Sequence, residues 1–365
     1  MRVYALLWCL MLSLSACQNN NASAGGTTTT AKASTSELQQ LAGKTMGTTY
    51  HISFVEEMPA NLQAEVDALL IEVNQDLSTY IKDSYISKVN QAEDWIQLQP
   101  IKSTTVLYPH FKKVYYRSKE VYRDTRGLFD PTIMPLVNYW GFGYSGDRLL
   151  TSAESKIVEE LRSLVGLMKL QERMKPGDAD YLYLKKFKPG IQLDFSAIAK
   201  GYGVDVVAAL LEEKGIQNYL VEIGGEVRAK GKNASQELWT VGINTPQDNA
   251  AVTDFKAIVK LQDRALATSG NYRNFYELNG KKISHTINPR SGYSEDTNLL
   301  SASIFAKDCM TADAYATACM VMGLGEAFEL IRQKEDMEGY FIYGTEEGGT
   351  AVLYTDGLKS FITNL

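Results

Sequence analysis

YLVEIGGEVRA, residues 219–229, decides the class of fold. Two short runs rich in Val, Ile and Tyr flank Gly224-Gly225, a pair suited to the point where a strand turns. Downstream, Trp239 to Ile243, Ala257 to Leu261 and Ala265 to Ala267 carry the same strand signal. Upstream, Thr48-Thr49-Tyr50-His51-Ile52-Ser53-Phe54 alternates as a strand does. Helical spacing lies elsewhere. Residues 62–80 place Leu62, Val66, Leu69, Leu70, Val73 and Leu77 on one face. A second helix is expected from Ser103 through Phe111, Val114, Tyr115 and Val121, with Gly127 as its stop. A third is expected from Thr151, where Thr151-x-x-Glu154 reads as a capping box ahead of Ile157, Leu161 and Leu164. A fourth covers about 196–214 and ends at Gly215, and two late helices, 311–323 and 326–333, precede strands at 339–343 and 351–355. Because the strands cluster in meanders, the expected class is α+β, with largely antiparallel sheets packed with helices.

The ends of the chain read differently from its body. Arg2 and the short apolar run Val3 to Leu14 lead to Leu14-Ser15-Ala16-Cys17. That run is too short to span a bilayer. The pattern resembles a bacterial lipoprotein signal, which implies removal of residues 1–16 and a lipid on Cys17. By the same resemblance the protein is a membrane lipoprotein facing the periplasm, and Gln18 after the cysteine favours the outer membrane over the inner. Residues 17–40 are dominated by Asn, Ala, Ser, Gly and Thr, too poor in apolar bulk to offset their ordering entropy, and read as a flexible tether. Residues 41–365 remain as one large domain or two closely packed halves. A formal net charge of −6 argues against nucleic acid as a partner. Of four cysteines, only Cys309 and Cys319 lie in this body, and their apolar neighbours read better as two buried thiols than as a bridge.

Two segments carry the chemistry. Thr311-Ala312-Asp313-Ala314-Tyr315-Ala316-Thr317 sets a carboxylate and a hydroxyl four residues apart, on one helix face. Asp194-Phe195-Ser196-Ala197-Ile198-Ala199-Lys200-Gly201 adds a carboxylate, a lysine and small residues where a helix begins. Hard oxygen donors beside a cation and an approachable backbone suit a magnesium-bound diphosphate. Alone, each residue has an ordinary alternative: Asp194 as a favourable helix-terminal charge, Lys200 as a solvated side chain, Thr317 bonded to its own backbone.

Four further segments stand in order with these two: Met46-Gly47-Thr48-Thr49-Tyr50; Leu77-Ser78-Thr79-Tyr80; Gly127-Leu128-Phe129-Asp130-Pro131-Thr132; and Ser284-His285-Thr286-Ile287-Asn288-Pro289-Arg290-Ser291-Gly292. The series resembles the FAD:protein FMN transferase family, the ApbE-type flavin transferases, over about 43–360. The resemblance implies a flavin transferase domain that takes FAD as substrate and uses magnesium. FMN would pass through a phosphoester to a threonine of a partner protein, and AMP would leave. Met46, Tyr80, Leu128, Phe129, Asp130, Asp194, Lys200 and Ile287 are then expected to bind the flavin nucleotide. Magnesium would take the Ala197 carbonyl and the Asp313 and Thr317 side chains, and His285 would be the base. The acceptor would carry a Ser/Thr-Gly-Ala-Thr-type sequence, as subunits of membrane redox complexes do; this chain has none of its own. Two alternatives stand beside it: a magnesium-dependent FAD pyrophosphatase giving FMN and AMP, which would use the same metal and nucleotide residues, and a non-enzymatic flavin carrier, against which Asp313, Thr317, Lys200 and His285 together argue. The chain departs from the family pattern at Asn288, where many members have aspartate, and at Ala316, where some do.

Overall fold

The computed structural model describes residues 37–100, 108–144, 152–246, 254–271, 275–295 and 297–364. Its first strands, β1 (Gln39–Thr45) and β2 (Thr48–Phe54), form a hairpin, followed by helices α1 (Leu62–Leu77) and α2 (Tyr85–Gln91) and strand β3 (Trp95–Pro100). Helices α3 (Pro109–Asp124), α4 (Met134–Tyr139) and α5 (Ser155–Arg162) come next, then strands β4 (Leu170–Lys175) and β5 (Asp178–Lys186) and helix α6 (Ala199–Glu213). The next strands are β6 (Tyr219–Ile223), β7 (Glu226–Lys230), β8 (Trp239–Asn244), β9 (Phe255–Leu261) and β10 (Ala265–Gly270). After β11 (Phe275–Leu278), β12 (Lys281–Ser284) and β13 (Leu299–Ala306) come α7 (Cys309–Met322) and α8 (Leu324–Arg332), then β14 (Glu338–Gly344), β15 (Thr350–Tyr354) and β16 (Ile362–Asn364).

Eight strands make the main sheet in the order β1-β2-β6-β7-β10-β13-β14-β15, and every neighbouring pair is antiparallel. Two of its hairpins turn on two residues of positive φ. Met46 and Gly47 (φ 50° and 74°) close β1 on β2, and Gly224 and Gly225 (φ 60° and 102°) close β6 on β7. Such turns match the twist of the strands they join. Smaller sheets β16-β9-β8, β3-β5-β4 and β11-β12 complete the α+β class expected from the meanders. Residues from Ser36 to Leu365 form one compact unit.

Helix α7 sits at the centre. Ala312, Ala314, Ala316 and Ala318 on it are fully buried, and so are Ala267 on β10 and Ala302 on β13. Small side chains let the helix lie close to the sheet, which fixes its polar residues without freedom to adjust. Asp308 caps it, accepting from the Thr311 N–H at 2.8 Å and its hydroxyl at 2.6 Å. On its other side α7 meets α6 at Gly201, where a Cβ would come within 2.3 Å of the Cys309 carbonyl oxygen. Cys309 and Cys319 are unlinked and buried.

Several boundaries differ from the sequence reading. Helix α3 begins at Pro109, after Tyr108 in a left-handed conformation. Proline is preorganised for the first turn, so it overrides the upstream pattern; residues 103–107 lie outside those described. Helix α5 starts at Ser155 with Glu154 as its cap, which makes no side-chain bond, and Thr151 lies outside the described residues. Helix α6 starts at Ala199, because residues 196–198 form a turn. At the front, Gln39 and Gln40 already pair with Phe54 and Ser53, two residues ahead of the boundary at 41. Backbone pairing carries that strand where its side chains bury little. Residues 1–36, with the leader and Cys17, lie outside the described residues, among which no helix is long and apolar enough to cross a membrane.

Candidate active site

A cavity of about 440 Å³ opens beside α7, lined by described residues from seven separate parts of the chain. It is larger than the clefts of about 220 Å³ beside β9 and about 340 Å³ beside α3. Helix α7 contributes Asp313 and Thr317, one turn apart as their spacing requires. Asp313 is 3% exposed and accepts the Gly201 N–H at 3.0 Å. Thr317 shares a hydrogen bond of 3.1 Å with the Ser269 hydroxyl of β10. When Thr317 donates there, its oxygen keeps lone pairs for a cation.

Opposite lies the turn before α6. Asp194 accepts the Ser196 N–H at 2.8 Å and the Ser196 hydroxyl, folding residues 194–198 back so that Ala197 lines the cavity. The Asp194 N–H donates to the Pro131 carbonyl at 2.7 Å, tying this turn to the loop after α3. That loop turns at Gly127 (φ 82°) and carries Leu128, Phe129 and Asp130 to the cavity wall. Asp130 accepts the Thr132 N–H at 2.9 Å and the Thr132 hydroxyl at 2.6 Å. His285, Thr286 and Ile287 arrive from the segment after β12, with the His285 ring set edge-on to Phe142. Tyr80 stands at the rim, 72% exposed.

Charge is concentrated on one wall. Lys200 Nζ lies 2.5 Å from Glu226 Oε1 on β7. Burial alone would lower the Lys200 pKa, but Asp313 and then Glu226 outweigh it and hold the ammonium above its ordinary value. Burial pushes the carboxyls of Asp313 and Glu226 up, against the pull of Lys200. Burial also drives Asp130 up to about 6, partly offset by its bonds from Thr132. Asp194 is raised for the same reason, with Ser196 opposing.

Among the described residues, no three His, Cys, Asp or Glu side chains gather as a metal site. A cation here would take one carboxylate (Asp313), one hydroxyl (Thr317) and one carbonyl (Ala197), leaving its other positions to ligand and water. All three donors are hard oxygens, which suits a small divalent cation that keeps part of its water shell. Glu226 Oε2, buried without a hydrogen-bond partner, marks the same wall as short of positive charge. The donor set fits such an ion.

All but one of the site residues expected from the sequence within the described chain line this cavity. Met46 does not. It occupies the β1–β2 turn, and its Sδ and Cε cover Gly203 of α6 beside Ile223, half-buried against the core rather than at the cavity. Glu226 and Ser269 were missed. A glutamate directly after a double glycine in an apolar strand run was the available signal for the first; nothing local distinguishes the second. Asn288 bonds to Glu295 at 2.6 Å and to the Arg290 N–H at 2.8 Å, shaping its own turn. Ala316 is fully buried in the apolar core.

The fold and cavity together define a class: an α+β protein in which, among the described residues, a buried carboxylate, a hydroxyl, a lysine and a histidine surround a space whose donors suit a phosphate ester and a small divalent cation. The chain belongs to the ApbE family, whose model matches residues 46–341. Named FAD:protein FMN transferases are similar to it. That of Haemophilus influenzae is 34% identical over 342 residues, covering 92% of this chain and 91% of the relative. That of Vibrio cholerae is 38% identical over 293 residues, covering 79% and 82%. The solved flavin transferase ApbE from Vibrio cholerae superposes with a TM-score of 0.76 at 34% identity, over 89% of this chain and 99% of that one.

Proposed function

We propose that this protein is a magnesium-dependent FAD:protein FMN transferase, moving FMN from FAD to a threonine side chain of a partner protein. The observation that carries the proposal is the meeting of Asp313, Thr317, Ala197, Lys200 and His285 around one cavity. Family membership and the names of the relatives support the same reading.

Asp313, Thr317 and the Ala197 carbonyl would hold magnesium. Bound there, the ion supplies charge neutralisation on the diphosphate, which phosphoryl transfer needs more than covalent help. Lys200 adds a point charge on the same anion. Leu128, Phe129 and Ile287 offer apolar surface to the flavin or adenine, and Tyr80 a ring at the rim. Asp130 and Asp194 are carboxylates whose bonds to Thr132 and Ser196 keep them oriented, and they would accept from hydroxyl or amine edges of the nucleotide rather than approach its phosphates. His285 takes the proton of the incoming threonine hydroxyl. The threonine oxygen then bonds to the FMN phosphorus, the bond from that phosphorus to the bridging oxygen breaks, and AMP departs with its phosphate. General-base help of this kind is worth about 10²–10⁴-fold.

The acceptor is a separate protein with a Ser/Thr-Gly-Ala-Thr-type sequence, of the sort carried by subunits of membrane redox complexes. The leader Leu14-Ser15-Ala16-Cys17 supports a lipid anchor on Cys17 and a periplasm-facing body at the membrane. Incubating a candidate acceptor with the protein, FAD and magnesium, and weighing it by mass spectrometry, tests the reading. FMN mass on threonine in step with AMP is the expected result. Free FMN forming at one rate with or without acceptor, and no labelled acceptor, would replace transfer by hydrolysis.

A further inference from the structure

Glu226 has no part in the reaction as described, yet its burial is hard to explain without one. It is 3% exposed, lines the cavity, and stands one residue past the tight turn of Gly224 and Gly225. Oε1 binds Lys200 at 2.5 Å, while Oε2 is buried with no hydrogen-bond partner. A buried carboxylate oxygen without a donor is costly, and in native proteins it marks a missing ion, a missing water or a functional role.

The surroundings narrow the choice. Lys200 and Gly201 are consecutive on α6, so one short piece of backbone links both acids: Lys200 to Glu226, and the Gly201 N–H to Asp313. The stem of Lys200 is confined as well, because a Cβ at Gly224 would lie 3.3 Å from its Cδ. Counting the described cavity wall, Asp130, Asp194, Glu226 and Asp313 face one lysine. An anionic diphosphate would meet a wall of its own sign, and the only ammonium there is already engaged. A divalent cation reverses that balance.

We propose that Glu226 is a further positioning residue of the cation site: it pins Lys200 to the cavity wall through Oε1, and the charge it leaves uncompensated on Oε2 draws a hydrated divalent cation to the space beside Asp313. This rests on the metal-dependent reading above and deepens it. Carboxylates that stand behind direct ligands in this way are worth about 10–100-fold in metal affinity. Lys200 opposes the ion until the diphosphate arrives, so the pair sets both the affinity for the bare cation and the readiness of the ammonium for phosphate.

The test uses Mn²⁺ alone as probe, titrated into the full chain without nucleotide and followed by electron paramagnetic resonance. Glu226→Gln keeps the shape and should weaken Mn²⁺ by at least about tenfold. Lys200→Met removes the opposing charge and should tighten it. Adding Glu226→Gln to Lys200→Met, a background with no ammonium left unpaired, should weaken Mn²⁺ again, which keeps the test valid if the single variant folds poorly. A purely structural ion pair would not produce opposite signs from its two members. Mn²⁺ affinity changed less than about twofold by Glu226→Gln in both backgrounds overturns the proposal. Asp313→Ala, run alongside, separates the two readings. If it loses Mn²⁺ while Glu226→Gln does not, only the role of Glu226 falls. If it retains Mn²⁺ too, the metal-dependent reading falls with it.

Discussion

Asp313→Asn should uncouple this protein from magnesium without harming its fold. The side chain is 3% exposed, and it is the one anionic group among the three proposed donors to the ion. In the ligand-free protein burial pushes its carboxyl up, against the pull of Lys200, whose ammonium Asp313 supports ahead of Glu226. A neutral amide removes the cost of burying that charge and also the largest attraction on the Lys200 ammonium, and the two changes oppose one another. The asparagine oxygen can still accept the Gly201 N–H that Asp313 accepts at 3.0 Å. The ligand-free variant should therefore melt close to the parent. With magnesium the two diverge. An ion at a hundred times its dissociation constant stabilises the folded state by about 2.7 kcal/mol. With an unfolding entropy of about 2.1 cal/mol/K per residue over roughly 330 residues, that is a rise of about 4 °C in Tm for the parent. The variant should show almost none of it. Calorimetry with magnesium and with a chelator, paired with AMP release from FAD, reads both effects. A variant that still gains about 4 °C on adding magnesium, or that still releases AMP in a magnesium-dependent way, would refute the placement of the ion.

His285→Ala should bind FAD and magnesium yet transfer FMN at least ~10²-fold more slowly, read as labelled acceptor over time; transfer at the parent rate would make this histidine structural. Gly201→Ala should destabilise the fold by about 1–3 kcal/mol in a denaturant titration, because its Cβ would meet the Cys309 carbonyl oxygen at 2.3 Å and the Asp313 Cβ at 2.8 Å, forcing α6 from α7. The pH dependence of stability has a stated sign at Asp130. Its carboxyl titrates at about 6 in the folded protein against an ordinary 3.8, so the stability it contributes is fully present below about pH 4 and is lost as pH rises through about 6. Asp130→Asn should flatten that part of the Tm profile between pH 4 and 6, and an unchanged slope there would assign the titration elsewhere. Cys17→Ser should release the protein from the membrane fraction while leaving catalysis intact; a variant that stays in the membrane after a salt wash would end the lipid-anchor proposal.

Local patterns in the chain carried much of the fold. The period-two runs about Gly224-Gly225, the apolar stripe of α1 and the spacing of Asp313 and Thr317 are short-range properties, decided within one or two turns of backbone. Helix starts were less legible, as at Pro109 and Ala199, because a cap or a turn outweighs hydrophobic period there. Met46 stands in the matching segment, yet its side chain covers Gly203 and does not line the cavity, a placement no motif position records.

By itself the sequence determined the class of fold and the order of the motifs, and the family resemblance of those motifs named eleven of the residues around the cavity; residue type and spacing alone were enough to put a carboxylate and a hydroxyl on one helix face. Only the tertiary structure decided which charges share a wall. Lys200, Glu226 and Asp313 come from α6, β7 and α7, and no periodicity within any one of them records that Glu226 lies 2.5 Å from Lys200. The same holds for Ser269 beneath Thr317, 48 residues apart in the chain and 3.1 Å apart in space. Electrostatic energy depends on distance and burial after packing, and those are set jointly by distant segments.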